Sequence, residues 1–278
     1  MLRTMPEGDT IFRSARTLRA ALAGRTVVRF ESRLPVVERR VEDVPLVGRT
    51  VVDVRPAGKH LLMEFSGGLV LRTHMRMHGS WHLYRPGERW RRARSAMTLL
   101  IETDAFVAVA FDVPVAELIA ADRLQRHRAL RQLGPDLLGS TFDADEAVAR
   151  LQARADDTIG EALLNQRVMA GAGNVYKSEA LFLRGIRPSR RVSSLSVDDL
   201  RSLVDALRAL MLANVVDPNA PGMMFRGYRR TTRSAQPGAR LWVYGRSGRP
   251  CRRCGAPIRY ARQGEGARGS YWCDSCQS

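Results

Sequence analysis

The sequence predicts an α+β multidomain protein with a strand-rich N-terminal part, a helical middle part and a cysteine-bearing tail. Short apolar runs separated by Gly, Pro and charged residues give way to helical spacing just past Gly134–Pro135, and such a change of period indicates a change of architecture. All four cysteines lie from Cys251 onward. We therefore expect domains over residues 5–133, 136–240 and 241–278.

The N-terminal domain is predicted to open with one amphipathic helix and to continue as strands. Apolar residues recur at helical spacing from Ile11 to Leu22, and Gly24 follows as a stop signal. The short runs after this helix are TVVRFE, RTVVDVR, HLLMEF, LVLRTH, SWHLY, AMTLLIE and FVAVAF. Many strands with one helix are typical of a two-layer β domain.

Three pairs of capping residues predict helices in the middle domain: Asp143 with Glu146, Thr158 with Glu161, and Ser196 with Asp199. Each pair precedes a periodic apolar run. We expect the helix after Thr158 to end near Met169, and a second helix to run from Asn174 to Leu183 after a tight turn. Glu179, on this second helix, is expected to face solvent. A loop-rich stretch, residues 217–238, leads to the tail.

The charge of the chain indicates nucleic acid as its partner. Lys and Arg total 45 against 28 Asp and Glu, a formal net charge of +17. A membrane-surface protein would gather its basic residues on one helix or run, whereas here they are spread along the chain. The sequence has no apolar stretch of about 18 residues and no apolar signal core. We expect a soluble, cytoplasmic protein that binds nucleic acid and no membrane.

The tail carries the strongest local motif. Cys251 and Cys254 form one close pair and Cys273 and Cys276 another, a spacing typical of a closed, structural four-thiolate zinc site. Free reduced thiols are the alternative, and no organic cofactor is predicted. The segment between the pairs resembles a β-hairpin, whose tip would carry Arg262 and Arg268, to bind phosphate or simply to be solvated.

Two further segments are candidates for DNA contact. Glycines before Asn174 would let backbone amides at a helix N-terminus approach a phosphate, with Gly173 and Asn174 as ligands; a glycine-rich joint without a ligand is the alternative. Arg76, Met77 and His78 lie in a predicted turn and are suited to wedging into a base stack, unless the turn is an ordinary loop.

Lys59 and Pro6 are candidates for chemistry. Lys59 follows Gly58 at the start of a strand, either at the edge of a cleft or on a solvated surface. Pro6 has a nucleophilic secondary amine only if the mature chain starts after Met5. If the chain starts at Met1, the Pro6 nitrogen is a tertiary amide. We expect translation to begin at Met5 and this methionine to be removed.

Four motifs carry a family resemblance. The opening MPEGD, the strand start Gly58-Lys59-His60, the joint AGAGN ending at Asn174, and the cysteine tail YWCDSCQ occur in the order found in the Fpg/Nei family of bifunctional DNA glycosylases. The resemblance spans Met5 to Gln277. PEGD is similar to the endonuclease VIII (Nei) branch, whereas the formamidopyrimidine branch usually opens PELPE.

The resemblance implies a role for each matching residue. Pro6 would attack the sugar of a flipped, damaged nucleotide and form a Schiff base, while Glu7 would protonate the ring oxygen. Lys59 would hold a phosphate and transfer protons in β-elimination. Asn174 would grip the phosphates that flank the lesion. Arg268 would bind phosphate and assist δ-elimination.

The resemblance further implies a two-sheet β-sandwich, a helix-two-turns-helix domain and a zinc-finger hairpin, with damaged double-stranded DNA in the cleft between the first two domains. It also implies a nucleoid-associated monomer of a bacterial-type cell. Oxidised pyrimidines would be favoured over oxidised purines, the substrates of the formamidopyrimidine type. A non-catalytic DNA-binding protein is the third possibility, if the chain starts at Met1.

Two positions depart from the Nei pattern. Arg76-Met77-His78 stand in place of a Gln-Leu-Tyr wedge, and Gln132 replaces a DNA-contacting arginine, with Arg131 beside it.

Overall fold

The computed structural model describes residues 6–217, 227–234, 236–264 and 266–278. Two compact units divide this part of the chain, one ending at Arg131 and the other running from Gln132 to Ser278. The predicted start at Met5 lies outside the described residues, as do residues 218–226 and 235 of the predicted loop-rich stretch. Within the described ranges, no helix is long and apolar enough to cross a membrane.

The first unit is a sandwich of two four-stranded antiparallel sheets, ordered β1-β6-β7-β5 and β2-β3-β4-β8. Its elements are α1 (Gly8–Leu22), β1 (Arg29–Ser32), α2 (Pro35–Asp43), β2 (Val51–Ala57), β3 (His60–Phe65), β4 (Leu69–His74), β5 (Ser80–Tyr84), β6 (Met97–Glu102), β7 (Val107–Phe111), β8 (Val115–Ala120), α3 (Ala121–Leu124) and α4 (Arg128–Arg131). Helix α1 buries Ile11, Ala15, Leu18 and Leu22 in the same core as residues of both sheets. The fold prediction of a two-layer β domain opened by a helix is therefore confirmed.

The sequence pattern does not predict four elements of the first unit: helices α2, α3 and α4 and strand β8. Helix α2 buries only Val37, so it shows no extended apolar period, and the expectation of one helix in this region is wrong. Strand β8 carries Glu117 opposite Arg72 of β4. The two side chains form an ion pair that stabilises a charged residue in the middle of a strand. A search for alternating apolar residues does not detect such a strand.

The second unit combines a helical part with the cysteine-bearing hairpin. Its elements are α5 (Ala144–Gln152), α6 (Ile159–Ala162), α7 (Asn174–Arg184), α8 (Val197–Leu212), β9 (Ile258–Gln263) and β10 (Arg268–Cys273). All three predicted caps form, since the side chains of Asp143, Thr158 and Ser196 each accept the N–H three residues on. Strands β9 and β10 pair antiparallel, which confirms the predicted hairpin.

The helix after Thr158 is shorter than predicted, because α6 ends at Ala162 instead of near Met169. The side-chain amide of Gln166 donates to the carbonyls of Leu164 and Ala172, both at 3.0 Å, and accepts the N–H of Gly171 at 3.1 Å. These bonds replace helical ones and hold the joint that leads into α7. Helix α7 starts at Asn174 as predicted and ends at Gly185, whose φ of 70° suits glycine.

The turn between β4 and β5 depends on Gly79. A Cβ atom there would lie 2.6 Å from the Met75 carbonyl oxygen and 3.0 Å from that of Asp112. Both neighbours are backbone atoms, which cannot move aside as a flexible side chain can. Only glycine therefore fits at this position without displacing the backbone.

We predict that Gly79→Ala lowers the free energy of unfolding by about 2 kcal/mol or more, because the added methyl displaces backbone on two sides. Gly238→Ala is the matched control, since no atom lies within 4 Å of its added Cβ. Urea unfolding of both variants measures the effect, and equal stabilities would contradict the prediction.

Candidate functional site

Pro6 and Glu7 lie at the N-terminus of α1. The Glu7 carbonyl accepts the N–H groups of Thr10 at 2.9 Å and Ile11 at 3.1 Å, so Glu7 is the N-cap through its backbone while its side chain does not cap the helix. Only 1% of Glu7 is exposed. A carboxylate at a helix N-terminus is stabilised by the helix dipole, and the packing of α1 in the sandwich core fixes its position.

Lys59 lies in a two-residue turn, Gly58–Lys59, between β2 and β3. Gly58 has a φ of 57°, which glycine adopts without a steric cost. Lys59 is half-buried, and its charge acts on His74 at the end of β4. The register explains this proximity, because His60, next to Lys59, pairs across the strands with His74.

A buried polar cluster supports this corner of the first unit. The Arg72 guanidinium is 2.8 Å from His60 Nδ1 and 2.8 Å from Glu117 Oε1. His127 Nε2 lies 2.8 Å from Glu117 Oε2. Sequence reasoning missed this cluster because its members come from separate strands and a following turn, and only the β3-β4-β8 register brings them together.

The imidazoles of His60 and His74 are neutral near pH 7, because the pKa of each is lowered. Burial, followed by the repulsion that a second proton on neighbouring His74 would cause and by the positive charge of Arg72, lowers the pKa of His60 to about 3. Burial, followed by the charges of Arg76 and Lys59, lowers the pKa of His74 to about 4. Positive charge is therefore carried by the lysine and arginine side chains here, and these are the groups suited to phosphate.

Arg76, Met77 and His78 form an exposed turn after β4. Arg76 has a left-handed backbone, φ 51°, and its N–H donates to His74 Nδ1 at 3.0 Å. Met77 is 42% exposed although it is a large apolar side chain. The structure thus confirms the predicted turn between two strands, and its wedge role stays a prediction.

Gly173 and Asn174 lie at the N-terminus of α7 in the second unit, where Gly173 is the N-cap. Asn174 is 7% exposed, and its Oδ1 has no hydrogen-bond partner among the described residues. A helix N-terminus of this kind presents backbone N–H groups to an anion. The contact of these residues with DNA stays a prediction.

Arg268 is exposed at the first position of β10, directly after the hairpin turn. It lines a cavity of about 460 Å³ together with Lys177 of α7, Glu161 of α6 and Gln263 of β9. The hairpin and the start of α7 therefore adjoin the same cavity within the second unit. Arg262, the other predicted tip arginine, is exposed on β9.

Gln132 is half-buried, and its side-chain oxygen accepts a hydrogen bond from Arg167 at 2.8 Å. This bond links the start of the second unit to the loop after α6. The predicted DNA contact of Gln132 is not tested by this geometry.

Glu179 is fully buried, so the expectation that it faces solvent is wrong. Its carboxylate accepts the N–H groups of Trp242 at 2.7 Å, Val243 at 2.9 Å and Tyr244 at 2.8 Å, and the hydroxyl of Thr231. Burial raises the pKa of Glu179, and these four hydrogen bonds oppose the rise. The partners lie more than 50 residues away, and no local pattern reveals them.

The four cysteines converge as predicted. Their sulfur atoms all lie within 4.8 Å of one another, and two of the distances are 3.9 Å (Cys251 to Cys276) and 3.4 Å (Cys254 to Cys273). Sulfur atoms around a tetrahedral zinc with Zn–S bonds of about 2.3 Å are roughly 3.8 Å apart. Cys251 and Cys273 are packed with Phe182 of α7, so a metal here would join the tail to that helix.

Each unit thus assembles part of the predicted site. The first gathers Lys59 and Arg76 around His74, and α1, with Pro6 and Glu7 at its start, packs on β2 and β3. The second packs α7 against β10, whose first residue is Arg268.

Comparisons with known proteins agree with these features. The sequence model described as the formamidopyrimidine-DNA glycosylase N-terminal domain matches residues 5–113, and that of the formamidopyrimidine-DNA glycosylase H2TH domain matches residues 133–221. A probable endonuclease 8 2 of Streptomyces coelicolor is 43% identical over 99% of this chain and 94% of its own length. A protein of Mycolicibacterium smegmatis named DNA-(apurinic or apyrimidinic site) lyase Nei2 is 39% identical over 99% of both chains.

A solved structure has the same fold. Formamidopyrimidine-DNA glycosylase of Lactococcus lactis, non-covalently bound to DNA containing an AP site, superposes with a TM-score of 0.80 at 23% identity, covering 98% of this chain and 100% of its own.

The buried His60 makes the first unit sensitive to acid. Its pKa in the folded protein, about 3, lies below the unfolded value of 6.5, so the unfolded chain binds the proton first. The contribution of neutral His60 to the free energy of unfolding is therefore fully present above pH 6.5, and it is lost progressively as the pH falls from there towards 3. We predict a loss of up to about 1.4 kcal/mol per pH unit from this residue.

Urea unfolding at pH 7, 6 and 5 measures this slope. His60→Asn keeps an acceptor for Arg72 but does not titrate in this range, so it should show a shallower acid slope than the wild type. Equal slopes would show that His60 is not the responsible group.

Proposed function

Because the chain belongs to the Fpg/Nei family of DNA glycosylases, on its Nei-like branch, we propose that it is a base-excision-repair DNA glycosylase with AP-lyase activity that removes oxidised bases. The observation that carries this function is identity of about 40% along the whole chain to proteins named endonuclease 8 and DNA-(apurinic or apyrimidinic site) lyase Nei2. The net charge of +17 supports DNA as its partner.

The chemistry proposed for Pro6 requires that this residue be the N-terminus of the mature chain. Its amine attacks C1′ of the flipped nucleotide, the glycosidic bond breaks, and the base leaves with the bonding electrons and takes up a proton. Glu7 protonates the sugar ring oxygen, which opens the ring and leaves an iminium ion. A base removes a proton from C2′, and the iminium accepts the electrons as the 3′ C–O bond breaks and the 3′ phosphate leaves in β-elimination. Loss of a proton from C4′ then expels the 5′ phosphate in δ-elimination.

The electrostatics around Lys59 support this assignment. A secondary amine near positive charge has a lower pKa and is more often neutral and nucleophilic. Lys59 is proposed to supply part of that charge, while His60 and His74 stay neutral and do not compete for phosphate. Lys59 is proposed to hold a phosphate and to move protons during β-elimination.

In the second unit, Asn174 and Arg268 are proposed to hold the phosphates beside the lesion. Asn174 and the first amides of α7 form an anion site supported by the helix dipole. Arg268 is exposed, and a guanidinium offers paired donors to phosphate and promotes δ-elimination by stabilising the leaving group. Gly173 and Gln132 are proposed to line the same DNA surface.

A single structural zinc ion, held by Cys251, Cys254, Cys273 and Cys276, is proposed for the tail. Closed four-thiolate sites leave no position for substrate, so the ion would maintain the hairpin that carries Arg268.

Oxidised pyrimidines are proposed as the preferred lesions, with Arg76, Met77 and His78 filling the space left by the flipped nucleotide. The exposure of Met77 suits such a wedge. Parallel excision of thymine glycol and oxidised guanine from matched duplexes tests the preference, and faster release of oxidised guanine would reverse it.

We predict that protein beginning at Pro6 forms a covalent adduct with an abasic-site duplex under borohydride. Pro6→Gly should remove most of the adduct, and Glu7→Gln should slow base excision by on the order of 100-fold because an acid is lost. Gel mobility and intact mass measure both outcomes.

The matched control is the same chain with residues 1–5 retained, in which the Pro6 nitrogen is an amide and should not trap. Absence of an adduct with protein proven to start at Pro6 would exclude the lyase mechanism. Unchanged activity of Pro6→Gly would exclude Pro6 as nucleophile.

Zinc removal gives a separate prediction. Cys254→Ser should lower bound zinc from about one ion per chain towards zero and reduce strand cleavage, because the ordering of the hairpin depends on metal binding. Ser275→Ala, beside the cysteines, is the control and should keep the metal. A variant that loses zinc yet cleaves normally would contradict a structural role for the metal.

A further inference from the structure

Lys177 is a buried lysine that none of the roles above uses. It lies on α7, one turn after Asn174, and only 1% of it is exposed. Burying an ammonium group is costly unless hydrogen bonds compensate for the lost water. Its Nζ donates to Ser270 Oγ at 2.7 Å and to the Gly269 carbonyl at 3.3 Å, both on β10.

The contact with Ser270 continues across the hairpin. Ser270 is fully buried, and its hydroxyl donates to Gln263 Oε1 of β9 at 2.6 Å. Gln263 is the cross-strand partner of Arg268. A chain of hydrogen bonds therefore runs from α7 through both strands and ends opposite Arg268, just where the hairpin begins to turn.

The geometry distinguishes a supporting role from direct binding. Both residues border the same cavity, but Arg268 is exposed, whereas Lys177 is only 1% exposed and its ammonium group is bonded to β10. An apolar side chain would fill the volume of Lys177 without donating to β10. The ammonium group instead fixes two consecutive residues, Gly269 and Ser270, immediately after Arg268.

We propose that Lys177 is a positioning residue that sets the distance between two phosphate sites, the N-terminus of α7 with Asn174 and the guanidinium of Arg268. The inference rests on the proposed function, since Arg268 must assist δ-elimination for its position to matter. Without the Lys177 ammonium group, Arg268 would still be present and charged, but it would no longer be held at the distance that δ-elimination requires.

The test measures the ratio of δ- to β-elimination products from an abasic-site duplex in single turnover. Lys177→Met should lower this ratio at least about tenfold, because small misplacements of a catalytic group have large effects on rate. Lys177→Arg, which keeps donors, should recover part of it. Arg184→Gln removes a positive charge from the exposed end of the same helix and should leave the ratio unchanged.

A double variant separates positioning from simple charge loss. If Lys177 acts through Arg268, adding Lys177→Met to Arg268→Gln lowers the ratio no further. If the two substitutions lowered the ratio of δ- to β-elimination products additively, the proposal would be overturned. A normal ratio in Lys177→Met together with a low ratio in Arg268→Gln would also overturn it. If Lys177→Met loses zinc or unfolds, Ser270→Ala replaces it, and a normal ratio there would also overturn the proposal.

The proposed function fails in a different way. No borohydride adduct from wild-type protein starting at Pro6 would remove the lyase activity itself. A normal ratio in Arg268→Gln, with trapping intact, would remove the role of Arg268 and with it the inference.

Discussion

The second unit depends on one buried helix, α7, and above all on the carboxylate of Glu179. Three consecutive backbone N–H groups, from Trp242 to Tyr244, point at this carboxylate. Each would be a costly unsatisfied donor if the acceptor were lost. The backbone that leads into the cysteine tail is therefore positioned by a side chain more than 60 residues earlier in the sequence.

The same helix carries two buried charges of opposite sign. Glu179 holds the segment before the cysteines, Lys177 holds β10, and Phe182 is packed against Cys251 and Cys273. Asn174 lies at the N-terminus of the same helix and is therefore positioned by the same contacts. The proposed phosphate site at the helix N-terminus and the proposed phosphate ligand Arg268 on the hairpin are thus both held by one helix, which would keep them at a fixed distance.

In the first unit, the register of the strands positions the polar side chains. Cross-strand pairing places His60 beside His74 and Arg72 beside Glu117. Burial, followed by the surrounding positive charges, keeps both histidines neutral near pH 7 because it lowers the pKa of each. Arg76 is exposed and Lys59 is half-buried. The sheet therefore separates the groups that support the corner from the groups that are available to a phosphate backbone.

The sequence by itself determined the two-layer β domain, the three capped helices, the hairpin and the clustering of the cysteines, because local spacing, capping and turn chemistry carry those features. It also supplied the motifs that identify the family. Only the tertiary structure decided that α6 stops at Ala162, that Glu179 is buried and that Lys177 bonds β10. For Glu179 and Lys177 the deciding partners are backbone groups and side chains brought in by the fold. For α6, the side-chain hydrogen bonds of Gln166 replace the helical ones that the local pattern predicts.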